Sequence, residues 1–497
     1  MLEAVKMQEG VLDRLSDRRL LRPLAYVDGQ WCAAASAVTS SVSDPATGAT
    51  LGTVPDLDAA ETGRAVAAAQ RALTAWRALL PQERARILRA WHDGMLAARE
   101  DLALIMTLEQ GKPYAEALGE IAYAASFIEW YAEEAKRLNG ETIASHLPNR
   151  HMTARREPVG VVACVTPWNF PSAMITRKAA AALAAGCSVV VRPASETPFS
   201  ALALAELADR AGLPAGVFNV VTGNARTIVG ELTRNPAVRA ISFTGSTEIG
   251  ARLIAESAPT VKRLSMELGG HAPFILFPDG DLDDGVEAAL AAKFQTSGQD
   301  CLAANRIYVH RDIYEPFLAR YAARIDALCV GNGLDDGVEI GPLMHERAVD
   351  KCTAQVADAL AKGARLLAGG EGHPAGPLFY RPTLIADMTP DMQIAREETF
   401  GPVAAVAPFD DEEQAVELAN DTEYGLVAYL YTQDHGRICR MTDALDYGMV
   451  AVNCVKITGH PVPFGGVKQS GLGREGGAWG IDEFTELKYV CAAYRAG

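Results

Sequence analysis

Between Val159 and Leu268 short apolar runs alternate with amphipathic segments in a regular order. The runs GVVACVTP, SVVVRP and VFNVVTG predict strands, and the stretches Ser172–Ala185 and Ser200–Ala211 predict helices. Strands that alternate with helices pair in parallel, with helices packed on the faces of the sheet. The segment therefore predicts a doubly wound α/β fold with a parallel sheet, and a second α/β region follows from Gly269 to about Val452.

The two ends of the chain have different patterns. The runs YVDGQWC and DPATGATLGTVP predict short strands, and apolar residues at helical spacing predict helices from Asp58 to about Gly140. Residues 141–157 lose this periodicity and predict a hairpin, while FTELKYVCAAY near the end predicts a strand. At 497 residues the chain is long enough for two or more interleaved domains.

Composition and charge exclude several classes of protein. Hydrophobic residues make up 49% of the chain and charged residues 22%, as in ordinary globular proteins. A formal net charge of -16 without a basic tract argues against a nucleic-acid partner. No stretch reads as a membrane span or signal peptide, and nine cysteines without ligand spacing indicate reduced thiols. These features predict a cytoplasmic enzyme or binding protein without a membrane partner.

The segment AISFTGSTEIG places Gly245 and Gly250 between an apolar strand and a helix. Backbone amides at such a helix N-terminus can bind a phosphate, as in dinucleotide-binding folds. The spacing Gly-x4-Gly differs from the Gly-x-Gly-x2-Gly fingerprint, so a plain strand-to-helix turn explains these two residues equally well.

Three motifs together resemble the aldehyde dehydrogenase superfamily: TPWNFP at 166–171, MELGG at 266–270 and SGQDC at 297–301. EETFGP at 397–402 and PFGGVKQSGLGREGG at 463–477 follow in the family's order, and the resemblance extends over nearly the whole chain. It implies a Rossmann-like cofactor domain from residues 1–140 and 158–268, an α/β catalytic domain from 269–478, and a small β oligomerisation element from 141–157 and 479–497. The resemblance also implies a homodimer or homotetramer.

The chemistry that the resemblance implies is centred on Cys301, the match to the family's nucleophile. By residue type alone Cys301 could be an inert buried thiol, although Gly298 and Gln299 before it suit a sharp turn. A thiolate is the reactive form, so the site has to favour ionisation of the thiol. Asn169 and the backbone amide of Cys301 match the donors to the oxyanion that forms on the aldehyde.

Hydrolysis of the resulting thioester needs a general base, and Glu267 matches the family's base. Its presence also favours water over coenzyme A as the acyl acceptor. Lys178, on the helix after TPWNFP, matches a lysine near the family's active site. Each of the three assignments has a plainer alternative: a turn residue for Asn169, a solvated or ion-paired carboxylate for Glu267, and a surface helix charge for Lys178.

The cofactor implied by the resemblance is NAD or NADP, and no metal is required. Its predicted ligands are Trp168, Gly245, Ser246, Gly250, Leu268, Glu398 and Phe400, of which Glu398 and Phe400 hold the nicotinamide ribose and ring. The sequence departs from the family at two further ligands. Arg192 stands where Lys is usual, and Ser195 stands where many NAD-preferring members have a Glu that repels a 2′-phosphate. The pair Arg192 and Ser195 therefore predicts that NADP is tolerated, without fixing the preference.

Within the family the chain most resembles succinate-semialdehyde dehydrogenases, which bind the distal carboxylate of their small-molecule aldehyde with arginines. Arg177 matches one of these arginines, and Thr458 matches a hydroxyl residue before the PFGG motif. The second arginine is replaced by Gln295, whose amide binds a carboxylate more weakly. Lys456 could supply the missing charge, although a solvent-facing loop lysine is the favoured explanation.

We therefore expect oxidation of a short semialdehyde, such as succinate semialdehyde, to the carboxylate through a Cys301 thiohemiacetal and thioester. Alternatives are a dehydrogenase of uncharged or other omega-substituted aldehydes, a coenzyme-A-acylating relative on the same fold, and a catalytically silent nucleotide-binding protein. The set Asn169, Glu267 and Cys301 disfavours the last two.

Overall fold

The computed structural model describes Met7 and residues 9–495. Residues 1–6, Gln8 and residues 496–497, which belong to the predicted cofactor domain and oligomerisation element, lie outside the described residues. The helices are α1 (Glu9–Leu12), α2 (Ala59–Ala78), α3 (Pro81–Ala97), α4 (Arg99–Gln110), α5 (Tyr114–Glu134), α6 (Ala173–Ala185), α7 (Pro198–Arg210), α8 (Ala225–Arg234), α9 (Thr247–Ser257), α10 (Leu282–Phe294), α11 (Tyr314–Asp326), α12 (Glu346–Ala361), α13 (Gln393–Arg396), α14 (Glu412–Asn420), α15 (His435–Ala444) and α16 (Trp479–Asp482).

The strands belong to four sheets. In chain order they are β1 (Ala25–Val27), β2 (Gln30–Cys32), β3 (Thr39–Ser43), β4 (Thr50–Pro55), β5 (Glu141–Ile143), β6 (Arg150–Pro158), β7 (Val161–Val165), β8 (Ser188–Arg192), β9 (Phe218–Val220), β10 (Val238–Thr244), β11 (Arg263–Glu267), β12 (Ala272–Leu276), β13 (Ala304–His310), β14 (Arg365–Ala368), β15 (Thr383–Ala386), β16 (Val403–Phe409), β17 (Val427–Tyr431), β18 (Met449–Val452), β19 (Gly471–Leu472) and β20 (Thr485–Ala493).

The first sheet contains the alternating segment and has the strand order β19-β11-β10-β7-β8-β9-β1-β2. The five strands from β11 to β9 are parallel, and antiparallel strands close both edges. Every residue of β7 and β8 is buried, as expected for strands covered by helices on both faces. The predicted parallel α/β fold is confirmed, and the helix predicted from Ser200 begins two residues earlier, at Pro198.

The second sheet has the order β14-β15-β16-β13-β12-β17-β18 and is parallel except for the edge strand β14. A third, antiparallel sheet joins the predicted hairpin, β5 and β6, to the predicted C-terminal strand β20, and β3 pairs with β4 in a separate hairpin. The short strand β19, from the segment 269–478, is added to the edge of the first sheet. The assignment of separate functions to these parts stays a prediction.

The connection between the two large sheets is short. Strand β11 of the first sheet ends at Glu267, and strand β12 of the second begins at Ala272. Between them Gly270 lies against the backbone carbonyl of Cys301, where a Cβ atom would overlap that oxygen. A glycine is needed for this close approach. The fold thus brings the carboxyl ends of β7, β10 and β11 next to the loop that precedes β13.

Candidate active site

A cavity of about 560 Å³ lies where the two large sheets meet. Most of the predicted site residues line it: Trp168, Asn169, Arg177, Gly245, Ser246, Leu268, Gln295, Cys301, Glu398, Phe400 and Thr458. The other predicted residues, Lys178, Glu267, Arg192, Ser195 and Gly250, do not line this cavity. The structure therefore brings the candidate nucleophile, the candidate oxyanion donor and the candidate substrate-binding residues together in one space.

Cys301 is half-buried in the loop after α10. The chain turns sharply before it, because Thr296 and Ser297 both adopt left-handed backbone conformations, with φ of 49° and 57°. Non-glycine residues in this region are strained and are held there by their surroundings. Thr296 donates from its amide to a carboxylate oxygen of Glu116 at 3.1 Å, and Ser297 donates from its hydroxyl to the carbonyl of Gly341 at 2.9 Å.

The thiol of Cys301 lies in a negative environment. Burial raises its pKa well above the ordinary value, and the carboxylates of Asp300, Glu398 and Glu267 raise it further, while Arg177 lowers it. The thiol also hydrogen-bonds to the side chain of Asp300. These surroundings favour the protonated thiol of Cys301 over the thiolate.

Asn169 lies in the loop after β7, next to the nucleophile. Its Nδ2 donates to the carbonyl oxygen of Gln299 at 3.0 Å. A side-chain amide carries two N–H donors. One N–H of Asn169 fixes the side chain to the loop of Cys301, and the second remains for an oxygen in the cavity. The alternative of a simple turn residue does not account for this buried contact with the nucleophile loop.

The backbone of Asn169 is held by a buried ion pair that the sequence interpretation missed. Lys112 Nζ donates to the carbonyl of Asn169 at 2.7 Å and to Glu120 Oε2 at 2.6 Å. The other oxygen of Glu120 accepts from the amides of Ser172 and Ala173 at the start of α6. The buried ion pair of Lys112 and Glu120 therefore holds the backbone of the TPWNFP loop in place.

Glu267 ends β11 and is buried behind the cavity. Among the described residues neither of its carboxylate oxygens has a hydrogen-bond partner. Burial raises the pKa of Glu267 well above its ordinary value, with a further increase from the carboxylate of Glu475, opposed by Arg177 and Lys178. The predicted alternative of a solvated carboxylate is wrong, since Glu267 is only 3% exposed.

Lys178 is fully buried in α6, so the alternative of a surface helix charge is wrong as well. Its Nζ donates to the hydroxyl of Thr244 at 2.6 Å and forms an ion pair with Glu475. The other oxygen of Glu475 lies 2.9 Å from Nη2 of Arg177. Glu475, which the sequence interpretation did not single out, thus joins the two neighbouring cations of α6 below the cavity, and they lower its pKa.

At the substrate-binding end, the guanidinium of Arg177 lies 3.9 Å from the centre of the Phe464 ring. Among the described residues its Nε has no hydrogen-bond partner, although Arg177 is only 2% exposed. Thr458 hydrogen-bonds with the side chain of Tyr123. Gln295 is exposed, and Lys456 is exposed and also lines the cavity. Arg177 is therefore a buried cation at the substrate-binding end of the cavity.

The opposite end of the cavity can hold a dinucleotide. Helix α9 begins here, and Ser246, its N-cap residue, makes no side-chain cap bond, so amides at this helix terminus are available to an anion. The rings of Trp168 and Phe400 meet edge to face at 5.6 Å. Glu398 Oε1 accepts from the amide of Gly270 at 3.0 Å, and burial raises the pKa of Glu398 to about 7. These residues suit a diphosphate and a nicotinamide ribose.

Arg192, Ser195 and Gly250 lie outside the main cavity. Arg192 Nη2 donates to Ser195 Oγ at 2.7 Å and to the carbonyl of Gly223 at 3.3 Å, and Ser195 borders a small neighbouring pocket. Gly250 is in the first turns of α9, where a Cβ atom would overlap the side chain of Leu268. Gly250 thus allows close packing of α9 on the sheet, which sets the position of the helix N-terminus.

The chain matches the sequence profile described as the aldehyde dehydrogenase family over residues 31–490. The chain belongs to the aldehyde dehydrogenase family. The predicted family, fold class and NAD(P)-dependent activity of this aldehyde dehydrogenase are thereby confirmed. Within Met7 and residues 9–495, no helix of the aldehyde dehydrogenase has both the length and the apolarity needed to cross a membrane.

Three similar proteins show how far the likeness extends. This aldehyde dehydrogenase is 57% identical over 479 residues to a non-phosphorylating aspartate-semialdehyde dehydrogenase of Halomonas elongata, covering 96% of this chain and 97% of the relative. It is 53% identical over 478 residues to a succinate-semialdehyde dehydrogenase (NADP+) of Escherichia coli, covering 96% and 99%. The crystal structure of a succinate-semialdehyde dehydrogenase from Burkholderia pseudomallei has a TM-score of 0.96 at 55% identity, covering 97% of this chain and 100% of that chain.

Proposed function

We propose that this aldehyde dehydrogenase oxidises a short semialdehyde, such as succinate semialdehyde, to the corresponding carboxylate through a covalent thioester on Cys301. The observation that carries the proposal is the single cavity that contains Cys301, Asn169 and the buried guanidinium of Arg177. The similar proteins support it, since all three are named for semialdehydes that carry a carboxylate.

In the first step Sγ of Cys301 bonds to the aldehyde carbon, and the π electrons of the carbonyl move to its oxygen. The second N–H of Asn169 and the backbone amide of Cys301 donate to this oxyanion. The thiol proton passes to solvent before this attack and is one of the two protons that the cycle releases, and the raised pKa of Cys301 makes its loss the demanding part of the step.

Bound NAD(P), held by Trp168, Ser246, Glu398 and Phe400, would supply the hydride acceptor needed to form a thioester on Cys301. Glu267 then removes a proton from water, whose oxygen bonds to the acyl carbon as the C–S bond breaks. The raised pKa of Glu267 makes it a stronger base once it has lost its own proton. Over the cycle one aldehyde, one water and one NAD(P)+ give one carboxylate, one NAD(P)H and two protons, and Cys301 returns to its thiol form.

We propose that Lys178 positions the water-activating side of the site rather than contacting substrate. Its ammonium is held between Thr244 and Glu475, and Glu475 in turn acts electrostatically on Glu267. Arg177 binds the distal carboxylate, with Thr458 and Gln295 as polar neighbours. Because Gln295 carries no charge, an uncharged or other omega-substituted aldehyde is the second candidate substrate.

For the cofactor we propose that both NAD and NADP are used. The support is local: Ser195 is exposed and bonded to Arg192, so a 2′-phosphate at this position meets a hydroxyl and a guanidinium instead of a carboxylate. Trp168, Gly245, Ser246, Leu268, Glu398 and Phe400 would hold the rest of the dinucleotide along the cavity.

We also propose a homodimer or homotetramer built on β20 and the hairpin of β5 and β6. Leu487 and Tyr489 in β20 are 68% and 56% exposed, which suits a surface covered by a second copy. A cytoplasmic location is supported by the cysteines, each of which is a free thiol.

A kinetic panel tests the substrate class. It compares succinate semialdehyde, glutarate semialdehyde and butanal, each with NAD and with NADP and without coenzyme A. We expect kcat/KM for the carboxylated aldehydes to exceed that for butanal by about tenfold or more, because a charge-assisted hydrogen bond to Arg177 contributes on this scale. The variant Arg177→Gln should remove most of this difference. Higher kcat/KM for butanal in the unaltered enzyme would contradict the proposed role of Arg177.

A further inference from the structure

The charges around the substrate-binding end of the cavity are mixed. Arg177 and Lys112 are buried cations there, but three carboxylates, Glu116, Glu120 and Asp300, line the same space, and Lys112 is paired with Glu120. The position where the family's second arginine is expected holds the neutral Gln295. A pocket for a simple dicarboxylate product would be lined mainly by cations, so this arrangement indicates an additional positive group on the ligand.

We infer that the substrate is a semialdehyde with an ammonium group beside its carboxylate, in which Arg177 binds the carboxylate and Asp300 binds the ammonium. This inference rests on the proposed function. It narrows the substrate class from carboxylated semialdehydes to amino-acid semialdehydes, and it makes Asp300 a specificity-determining residue.

Arg177 provides the anion-binding half of the site. The side chain is 2% exposed, and its Nε has no hydrogen-bond partner among the described residues. Nη2 lies 2.9 Å from Glu475, and the guanidinium face packs on Phe464. Since buried polar groups are almost always hydrogen-bonded, the open N–H of Arg177 calls for an acceptor from a ligand.

Asp300 provides the cation-binding half. Its Oδ1 accepts from the amide of Leu302 at 3.0 Å, which fixes the carboxylate in the loop of the nucleophile. A carboxylate next to Cys301 opposes ionisation of the thiol, and Asp300 is the strongest of the charged neighbours that raise the pKa of Cys301. An ammonium group bound by Asp300 cancels this effect when the substrate arrives.

The two halves lie within reach of one small ligand. Asp300 and Arg177 line the same cavity, and Lys112 and Arg177 both lower the pKa of Asp300, as opposite charges do. In an amino-acid semialdehyde the ammonium and the carboxylate are on the same carbon, so they need neighbouring partners of opposite charge. Arg177 and Asp300 are such partners on the wall of one cavity.

The other charged groups of this end have protein partners of their own or are exposed, although Lys112 also acts on Asp300. Lys112 is neutralised by Glu120 at 2.6 Å, and its ammonium faces the carbonyl of Asn169. Glu116 accepts from the amide and the hydroxyl of Thr296, and burial raises its pKa to about 7. Lys456 is exposed. Among the described residues, Lys112 and Arg177 are the buried cations that line the cavity at this end, and both act on Asp300.

A matched pair of substrates tests the inference, because aspartate semialdehyde and succinate semialdehyde differ only in the amino group. We expect kcat/KM of the unaltered enzyme for aspartate semialdehyde to be higher by about tenfold, the scale of a charge-assisted hydrogen bond. Asp300→Asn should abolish this preference, because kcat/KM for aspartate semialdehyde should fall about tenfold relative to kcat/KM for succinate semialdehyde measured in the same variant. Gln295→Arg should shift the preference in the same direction, because the added guanidinium repels the ammonium that only aspartate semialdehyde carries. Asp336→Asn, an exposed control, should leave the preference unchanged.

The remaining outcomes are distinguishable. Higher kcat/KM for succinate semialdehyde in the unaltered enzyme overturns the inference and leaves the proposed function intact. An equal loss with both substrates and with butanal in Asp300→Asn also overturns it, since Asp300 then acts on Cys301 rather than on the ammonium. Failure of the unaltered enzyme to oxidise any of the three aldehydes contradicts the proposed function itself.

Discussion

The thiol of Cys301 is surrounded by groups that disfavour its ionised form. Burial and three carboxylates raise its pKa, and only Arg177 among its main charged neighbours acts in the opposite direction. A thiolate is nevertheless required for attack on an aldehyde. In the free enzyme these groups favour the thiol, the form that reacts slowly with alkylating agents and oxidants.

The reactivity of the free thiol follows from this environment. We expect alkylation of Cys301 by iodoacetamide to be slow near neutral pH and to rise with pH beyond about 8.5, the ordinary thiol pKa. Asp300→Asn removes a negative neighbour, lowers the pKa of Cys301 and should speed alkylation at a fixed pH of about 8. Peptide mass spectrometry measures the rate at Cys301, with Asp336→Asn as the control. A rate that does not change with pH would contradict the raised pKa.

At the scale of single residues, the sequence predicted those site residues that lie in its recognisable motifs or next to them. Cys301, Asn169, Arg177 and Glu398 were expected in one site, and they line one cavity. Glu116, Glu120, Asp300 and Glu475 were missed, because a carboxylate in a helix or loop resembles a solvated residue until its burial is known. The signal that could have found two of them is the spacing of Glu116 and Glu120, four residues apart on one face of α5.

At the scale of elements, helix α6 shows why burial is hard to predict. All thirteen of its residues are buried, including Arg177 and Lys178, although two adjacent cations suggest a solvent-facing helix. The helix is enclosed because α3, α5 and α16 pack on it beside the first sheet. Tertiary packing, and not the local pattern, thus turns a surface charge into part of the site.

The turn between α4 and α5 is expected to stabilise the TPWNFP loop through its buried ion pair. Lys112→Gln leaves the carboxylate of Glu120 buried without a cation, so we expect a loss of about 3 kcal/mol in the free energy of unfolding. It should also lower kcat/KM by displacing Asn169. The double variant Lys112→Gln/Glu120→Gln should recover part of the stability, because it removes the unpaired charge.

Urea unfolding and steady-state kinetics measure the two effects. Arg89, which forms ion pairs with Glu129 and Glu133 at the surface, offers a matched control. Its replacement by Gln should cost about 1 kcal/mol or less, as surface pairs do. Equal losses for Lys112→Gln and Arg89→Gln would show that the buried pair does not hold the loop.

At the scale of the whole molecule, the sequence predicted the two α/β regions but not the arrangement of their edges. Strand β20 pairs along its whole length with β6, more than three hundred residues away, and β19 crosses from the segment 269–478 to the first sheet. Strands β1 and β2 extend the same sheet from its other end. Pairings between distant segments depend on tertiary packing, which local periodicity does not encode.

The same architecture explains why the residues of one site come from segments that are far apart in the sequence. The loop after β7 supplies Asn169, the end of β11 supplies Glu267, and the loop before β13 supplies Cys301. The loop before β16 adds Glu398, and the C-terminal loop adds Glu475. Because the reacting groups come from both large sheets, their relative position depends on the packing of the two sheets against each other.

The most direct test of the covalent mechanism is the intact mass of Glu267→Gln mixed with a semialdehyde and NAD(P)+. Without its general base, this variant should produce one burst of NAD(P)H per site and retain the acyl group, found by peptide mapping on Cys301. Cys301→Ala should give neither the burst nor the added mass. An acyl group on another residue, or steady turnover of Glu267→Gln at the rate of the unaltered enzyme, would contradict the account.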